Sequence, residues 1–229
     1  MELSNRLKTV ASFVRTSRRI ADIGTDHGYI PIYLYKEGKI DWAAACDINK
    51  EPVKRAEINV SMSNLMDKID TRLGSGLRPV NKGEVEGIVI AGMGGMLMID
   101  ILSENPEKTD ALCELVLQPQ TDIDKVRKYI HSIGFRIDDE KMLLEEGIYY
   151  TVIRAVHGEE KYDSEAEYEF GRINIERKCP VLKEYIEKIT EKNENVMAKL
   201  KEAGSENSVK RLAELSEYNT MCEEVYKCL

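Results

Sequence analysis

The chain has 229 residues, 42% hydrophobic and 32% charged, enough for one full α/β domain plus a smaller addition and unlike the composition of a disordered chain. No run approaches the roughly 18 uninterrupted apolar residues of a membrane span, and the first residues lack a basic start followed by an apolar run, so a cytoplasmic protein without signal peptide or membrane association is expected. The formal net charge of −8 disfavours a nucleic-acid partner, yet Arg6, Lys8, Arg15, Arg18 and Arg19 against Glu2 give the first 19 residues a local balance of +4, and phosphates respond to the field within about 8–10 Å rather than to the total.

In chain order, Leu3, Leu7, Val10, Ala11 and Val14 share one face of a helix over 3–17. A short strand follows over Arg19 to Ile23, then a loop over Gly24 to Gly28 and a helix over Tyr29 to Lys36. Trp42 to Cys46 reads as a second strand ending in Asp47, and Pro52 marks the first turn of a helix through Leu65. Ile69 to Leu73 is a third strand ending in Gly74-Ser75-Gly76. Val85 to Ala91 is a buried-type strand ending in Gly92-Met93-Gly94-Gly95, with a helix over Met96 to Ser103. Leu112 to Leu117 is another such strand, ending in Gln118-Pro119-Gln120, after which Thr121 can cap a helix to Ser132. Phe135 to Glu145 and Tyr149 to His157 are strands separated by a turn at Glu146-Gly147, without a helix between them, and should pair antiparallel. Alternating strands and helices call for a mostly parallel sheet covered on both faces.

From Ser164 the pattern changes. Leu182, Ile186, Ile189, Val196, Leu200 and Ala203, then Val209, Leu212, Leu215, Cys222, Val225 and Leu229, recur at helical spacing on either side of Gly204-Ser205. This reads as two long helices folded into an antiparallel, coiled-coil-like hairpin, with Gly204 as the turn residue and Ser205 or Ser208 as the cap of the second helix. Asn193 and Asn219 fall near the apolar seam, either as a register-setting polar pair or as two rim residues. The expected division is a catalytic domain over 1–160 and the helical hairpin over 161–229.

The chemistry-bearing residues cluster at strand ends. Asp22-x-Gly24-x-Asp26-x-Gly28 follows the first strand, where glycine permits a sharp turn and the next helix offers free N–H groups. Asp47 lies about 20 residues on, the place of an acid that accepts ribose hydroxyls. A tight turn plus a surface Asp would leave the same trace, and nucleotide cofactors in general share the pattern. The loop itself discriminates. A dinucleotide fingerprint needs glycine where Asp26 stands, and a carboxylate there repels pyrophosphate; no G-K-[ST] follows to make a P-loop. A zwitterionic ligand tolerates the acids, with Asp22 or Asp26 facing its ammonium group, which favours S-adenosylmethionine. Ser75 can hydrogen-bond an adenine. The glycines at 92–95 let backbone approach a flat ring, and no N/D-P-P-Y/F tetrad is present, which argues against amino-group methylation. The amides of Gln118 and Gln120, flanking Pro119, suit a base edge and equally suit helix entry. Five cysteines, without C-x-x-C spacing, read as free thiols, and no metal site is expected among the three histidines.

Ala21 to Pro31, Ile88 to Gly95 and Leu117-Gln118-Pro119, with the helical hairpin, together resemble the bacterial tRNA (adenine-22, N1)-methyltransferase family along essentially the whole chain. The resemblance implies a Rossmann-like class I domain with a seven-stranded, mostly parallel sheet and a helical appendix that holds tRNA. It implies methyl transfer from S-adenosylmethionine to N1 of adenine 22 in the D-arm region. By position it assigns cofactor contacts to Asp22, Gly24, Asp26, Asp47, Ile48, Gly76, Ala91 and Gly92; Gly28, Ser75 and Met93, in the same strand-end loops, are further candidates for the cofactor. Ser75 and Gln120 depart from the family pattern, which often has Asp and Asn there.

Adenine N1 carries a lone pair, so the enzyme needs alignment more than a base. Asp26, His27 and Tyr29 are the candidate catalytic residues, Asp26 as the carboxylate beside the developing cation. His27 reads equally as a structural loop residue. Gln118, Pro119 and Gln120 are candidates for the target base, and Arg6, Lys8, Arg15, Arg18 and Arg19 for tRNA phosphates. Pairing with acids of the same domain is the competing fate of each Arg. A monomer or weak dimer is expected. Two alternatives stand at this point: a methyltransferase for a small molecule or protein, and a non-catalytic RNA- or partner-binding module.

Overall fold

The computed structural model describes residues 3–203 and 205–229; Glu2, counted in the N-terminal charge balance, and Gly204, expected as the hairpin turn, lie outside them. The elements run α1 (Asn5–Phe13), β1 (Arg19–Ile23), α2 (Tyr29–Lys36), β2 (Trp42–Asp47), α3 (Lys50–Met62), β3 (Ile69–Leu73), β4 (Gly87–Met93), α4 (Gly95–Ser103), α5 (Pro106–Thr109), β5 (Glu114–Pro119), α6 (Ile123–Ser132), β6 (Phe135–Glu145) and β7 (Ile148–His157). They continue as α7 (Glu165–Phe170), α8 (Arg172–Glu176), α9 (Pro180–Ala203) and α10 (Glu206–Cys228). No described helix is long and apolar enough to cross a membrane. By its contacts the described chain forms two compact units, one running to Lys141 and resuming at Tyr150–Lys161, the other Met142–Tyr149 with Tyr162–Leu229.

The first unit is built on a seven-stranded sheet of order β3-β2-β1-β4-β5-β7-β6. The first five strands are parallel neighbours, and β7 lies antiparallel beside β5. The chain moves outward from β1 to β3, then crosses back to β4 and builds in the other direction. Right-handed crossovers therefore put the two helix sets on opposite faces: α2 packs with α1 and α3, and α4 with α5 and α6. Burial on both faces explains why β2 and β5 are continuous apolar runs rather than alternating ones. The point of reversal, between β1 and β4, is where an open sheet of this kind leaves a crevice at its carboxyl edge.

Some local expectations are corrected. The helix over 3–17 closes at Phe13, because 15–17 serve another purpose. Buried Glu114 accepts the backbone N–H of Arg15 at 3.1 Å and of Ser17 at 3.2 Å, and the Arg154 guanidinium at 2.6 Å. This ties the α1–β1 connection to β5 and β7. The cap of α6 falls to Asp122, in the left-handed region at φ 53°, not to Thr121, whose carbonyl instead accepts the Gly95 N–H at 3.0 Å. A Cβ at Gly95 would meet that carbonyl at 2.4 Å, so this glycine serves packing. The turn Glu146-Gly147 has both residues at positive φ, 51° and 79°, which matches the twist of a two-residue hairpin.

In the second unit Ser164 opens α7 with a reciprocal capping box to Glu167. Met142, Phe170, Leu182, Ile186, Cys222 and Val225 form the core. The helices α9 and α10 are antiparallel, since Asn193 meets Asn219 while Glu187, earlier in α9, meets Tyr226, later in α10. Ser205 caps α10 by accepting the Ser208 N–H at 3.2 Å.

Candidate functional site

At the carboxyl ends of β1 and β4 lies a cleft of about 230 Å³ lined by Arg6, Leu7, Asp22, Gly24, Thr25, Asp26, His27, Gly28, Tyr29, Ile30 and Ala91. Its floor follows from the β1–α2 loop. Gly24, at φ 80°, turns the chain while its N–H and that of Thr25 bond the Cys46 carbonyl at 2.8 and 2.9 Å, fastening the loop to β2. A Cβ on Gly24 would lie 2.1 Å from the Met93 Cε. Met93, at the end of β4, thus shares the loop's surface, and it is the positive φ of Gly24 that favours glycine there. Gly28, at φ 68°, begins α2 with no side-chain cap, which leaves first-turn N–H groups directed at the cleft's end.

The acids differ in state. Asp22 is only 5% exposed. Burial raises its carboxyl to about 6, and Asp47 adds to the rise. Asp26 is exposed and pairs with Arg55 from α3 through Oδ1 and with His27 Nε2 at 3.3 Å through Oδ2. The His27 ring stacks on Tyr29, centroids 4.8 Å apart at 13°, and its carbonyl accepts Asn59 Nδ2 at 2.9 Å. Asp47 closes the end of β2. One of its oxygens accepts the Asn49 N–H at 2.8 Å, and next to it Ile48 is 64% exposed. Ser75 and Gly76 follow β3, with Gly76 at φ 52° against Ile101. On β4 the register with β5 shifts between Ala91 and Met93, and Gly92 stands at φ 79°.

The set suits a zwitterionic nucleoside ligand. A buried carboxylate stands ready for an ammonium group, an uncapped helix start for a carboxylate, and Asp47 beside an exposed apolar residue for a ribose and its base. Pyrophosphate would meet Asp26.

Gln118 and Pro119 end β5, Gln118 fully buried and bonded to Arg6 Nη1 at 2.7 Å. The five N-terminal basic residues do not form one patch. Arg6 lines the cleft and Lys8 lies half-buried on α1. Arg15 pairs with Asp139, and Arg18 with Asp41. Arg19 lies over Trp42 at 4.6 Å. Arg18 and Arg19 sit at the amino end of β1, away from the cleft at its carboxyl end. Two cleft neighbours were not evident from sequence: Arg55, whose partner Asp26 is 29 positions away, and Tyr150, whose ring carries the Arg6 guanidinium at 5.4 Å.

Residues 3–153 match the model of a methyltransferase domain family. The tRNA (adenine(22)-N(1))-methyltransferase of Bacillus subtilis (strain 168) is 36% identical over 159 residues, 69% of this chain and 67% of that protein. The crystal structure of the B. subtilis m1A22 tRNA methyltransferase TrmK superposes with a TM-score of 0.89 at 30% identity, covering 98% of this chain and 99% of that one. The structure of M. capricolum TrmK with S-adenosyl-homocysteine superposes with a TM-score of 0.86 at 28% identity, covering 100% and 99%.

Proposed function

This chain belongs to the tRNA (adenine(22)-N(1))-methyltransferase family, and we propose that its cleft at the β1/β4 switch point binds S-adenosylmethionine and presents it to N1 of adenine 22 of tRNA. The observation that carries this reading is the buried Asp22 carboxylate beside a glycine loop that rejects pyrophosphate but accepts an amino acid. Asp22 takes the ammonium group, the N–H groups at the start of α2 take the carboxylate, and Asp47 takes the ribose hydroxyls. Ile48, Ser75 and Gly76 border the adenine of the ligand. Bound there, S-adenosylmethionine supplies an electrophilic methyl group.

The chain's own residues hold and shield. Gly24, Ala91, Gly92 and Met93 bring backbone close to the reacting groups. His27 and Tyr29 form a stacked wall at the mouth. Adenine N1 needs no base, and the methylated base carries a positive charge, which the Asp26 carboxylate offsets in part because Arg55 already shares it. Adenine must leave its stack to reach the cleft. The hairpin over 161–229 holds tRNA, and the protein acts in the cytoplasm as a monomer or weak dimer.

The test is transfer of labelled methyl from S-adenosylmethionine to unmodified tRNA carrying adenine or guanine at position 22. Label in the adenine tRNA alone is the expected result. Equal label in both tRNAs, or cofactor binding without transfer to either, contradicts the reading.

A further inference from the structure

The two glutamines that follow one another across Pro119 have opposite surroundings. Gln118 is buried and committed at both ends of its amide: Oε1 accepts from Arg6 Nη1 at 2.7 Å, and Nε2 donates to the Pro119 carbonyl at 3.1 Å. The same guanidinium lies over the Tyr150 ring. Gln120 is exposed. Its backbone N–H is fixed to the Met93 carbonyl at 2.8 Å, and its side-chain amide has no hydrogen-bond partner among the described residues. Gly92 stands between these groups. A Cβ built there would meet, among the described residues, Arg6 Nη1 at 3.5 Å and Gln120 Nε2 at 4.0 Å and nothing nearer. Gly92 therefore leaves room there for no more than a methyl group in van der Waals contact; the spot adjoins cleft-lining Ala91 and is flanked by one braced guanidinium and one uncommitted amide.

We propose that Gln120 reads the Hoogsteen edge of the target adenine, donating from Nε2 to N7 and accepting the 6-amino group at Oε1, while Arg6, Gln118 and Tyr150 form the rigid wall that positions it. This deepens the reading above and rests on it. An amide matches that edge in two bonds, whereas guanine offers two acceptors there and turns one bond into a repulsion. The choice of edge follows from the chemistry. An amide on the Watson–Crick edge would cover N1, the atom that must stay bare; on the Hoogsteen edge it leaves N1 free. Gln118 cannot serve, since its amide would have to abandon two buried bonds.

The experiment combines Gln120→Ala with tRNA carrying 7-deazaadenosine at position 22, which lacks the N7 acceptor. Turnover and KM are measured for all four combinations, with tRNA affinity measured separately without S-adenosylmethionine. The expected result is a loss in kcat/KM of roughly tenfold for either change alone, with less than a twofold further loss when both are present. tRNA affinity, dominated by phosphates, stays within about twofold. Gln120→Asn keeps the amide and retains sensitivity to 7-deazaadenosine, which serves if the alanine variant is unstable. Equal further loss from 7-deazaadenosine in wild type and variant, or a wild type indifferent to it, overturns the edge assignment alone. A wild type that does not methylate ordinary adenine 22 overturns this inference together with the activity it rests on.

Discussion

At the scale of single residues, Asp22 and Asp26 are both acids of one loop, but their surroundings assign them different work. Burial holds the Asp22 carboxyl near 6 in the ligand-free protein. A raised carboxyl pKa means the folded chain holds a proton that the unfolded chain releases. Its favourable contribution is therefore complete below the usual carboxylate range and is lost as pH rises through about 6. An ammonium ligand reverses that cost by pairing with the ionised form. The dissociation constant for S-adenosylmethionine should accordingly rise about tenfold for each pH unit below 6 and level off above it. Calorimetry across pH 4.5 to 8 checks this, and Asp22→Asn should weaken binding at least thirtyfold and flatten the profile. Asp26, 59% exposed on its side chain and shared with Arg55, acts through a screened field. Asp26→Ala is expected to lower kcat about tenfold while cofactor affinity moves less than threefold. Full turnover in that variant would remove Asp26 from the mechanism.

At the scale of elements, the polar pair in the hairpin offers a clean measurement. Asn193 Nδ2 donates to Asn219 Oδ1 at 2.8 Å, and both residues are 8% exposed. Asn193→Leu alone leaves the buried Asn219 Oδ1 without its donor and should cost about 1–3 kcal/mol, whereas the double change to leucine should be neutral or stabilising. Denaturant melts of the three variants give the coupling. Much of this level was legible in the chain. Here β1, α2, β3 and β6 have the bounds that pattern and glycine placement indicate, because each is closed by a glycine or a charged residue at the surface. The four-residue α5 and the short α7 and α8 were not, since a helix of one or two turns has no periodicity to read. The site divides in the same way. Asp22, Gly24 and Asp47 declare themselves by sitting at strand ends. Arg55 and Tyr150 do not, because tertiary contact alone gives them partners. The β5–β7 register pairs Leu117 with Ile153, and Tyr150, near the start of β7, meets the Arg6 guanidinium that also bonds Gln118.

At the scale of the molecule, a chain of net charge −8 must concentrate its attraction for a polyanion. Of the N-terminal basic residues, Arg6 lines the cleft, Arg15 and Arg18 pair with acids, and Arg19 lies over Trp42, which directs attention to the second unit. On α9, Lys188, Lys192 and Lys199 line one side with Glu191, Asn195 and Val196, although Lys188 also pairs with Glu184. We expect charge reversal at Lys192 and Lys199 to weaken tRNA binding about tenfold at low salt and to reduce the salt slope by about 2, with cofactor affinity unchanged. A filter-binding series in salt reads both quantities.

The central claim is that this cleft delivers a methyl group to one nitrogen of one nucleotide. Methylation of N1 blocks Watson–Crick pairing, so primer extension on enzyme-treated tRNA reads the claim directly. A stop immediately 3′ of position 22, where the blocked base halts extension, is predicted after incubation with S-adenosylmethionine, absent without it and absent with Asp22→Asn at low cofactor concentration. Full-length extension through position 22, or a stop at another nucleotide, would contradict it.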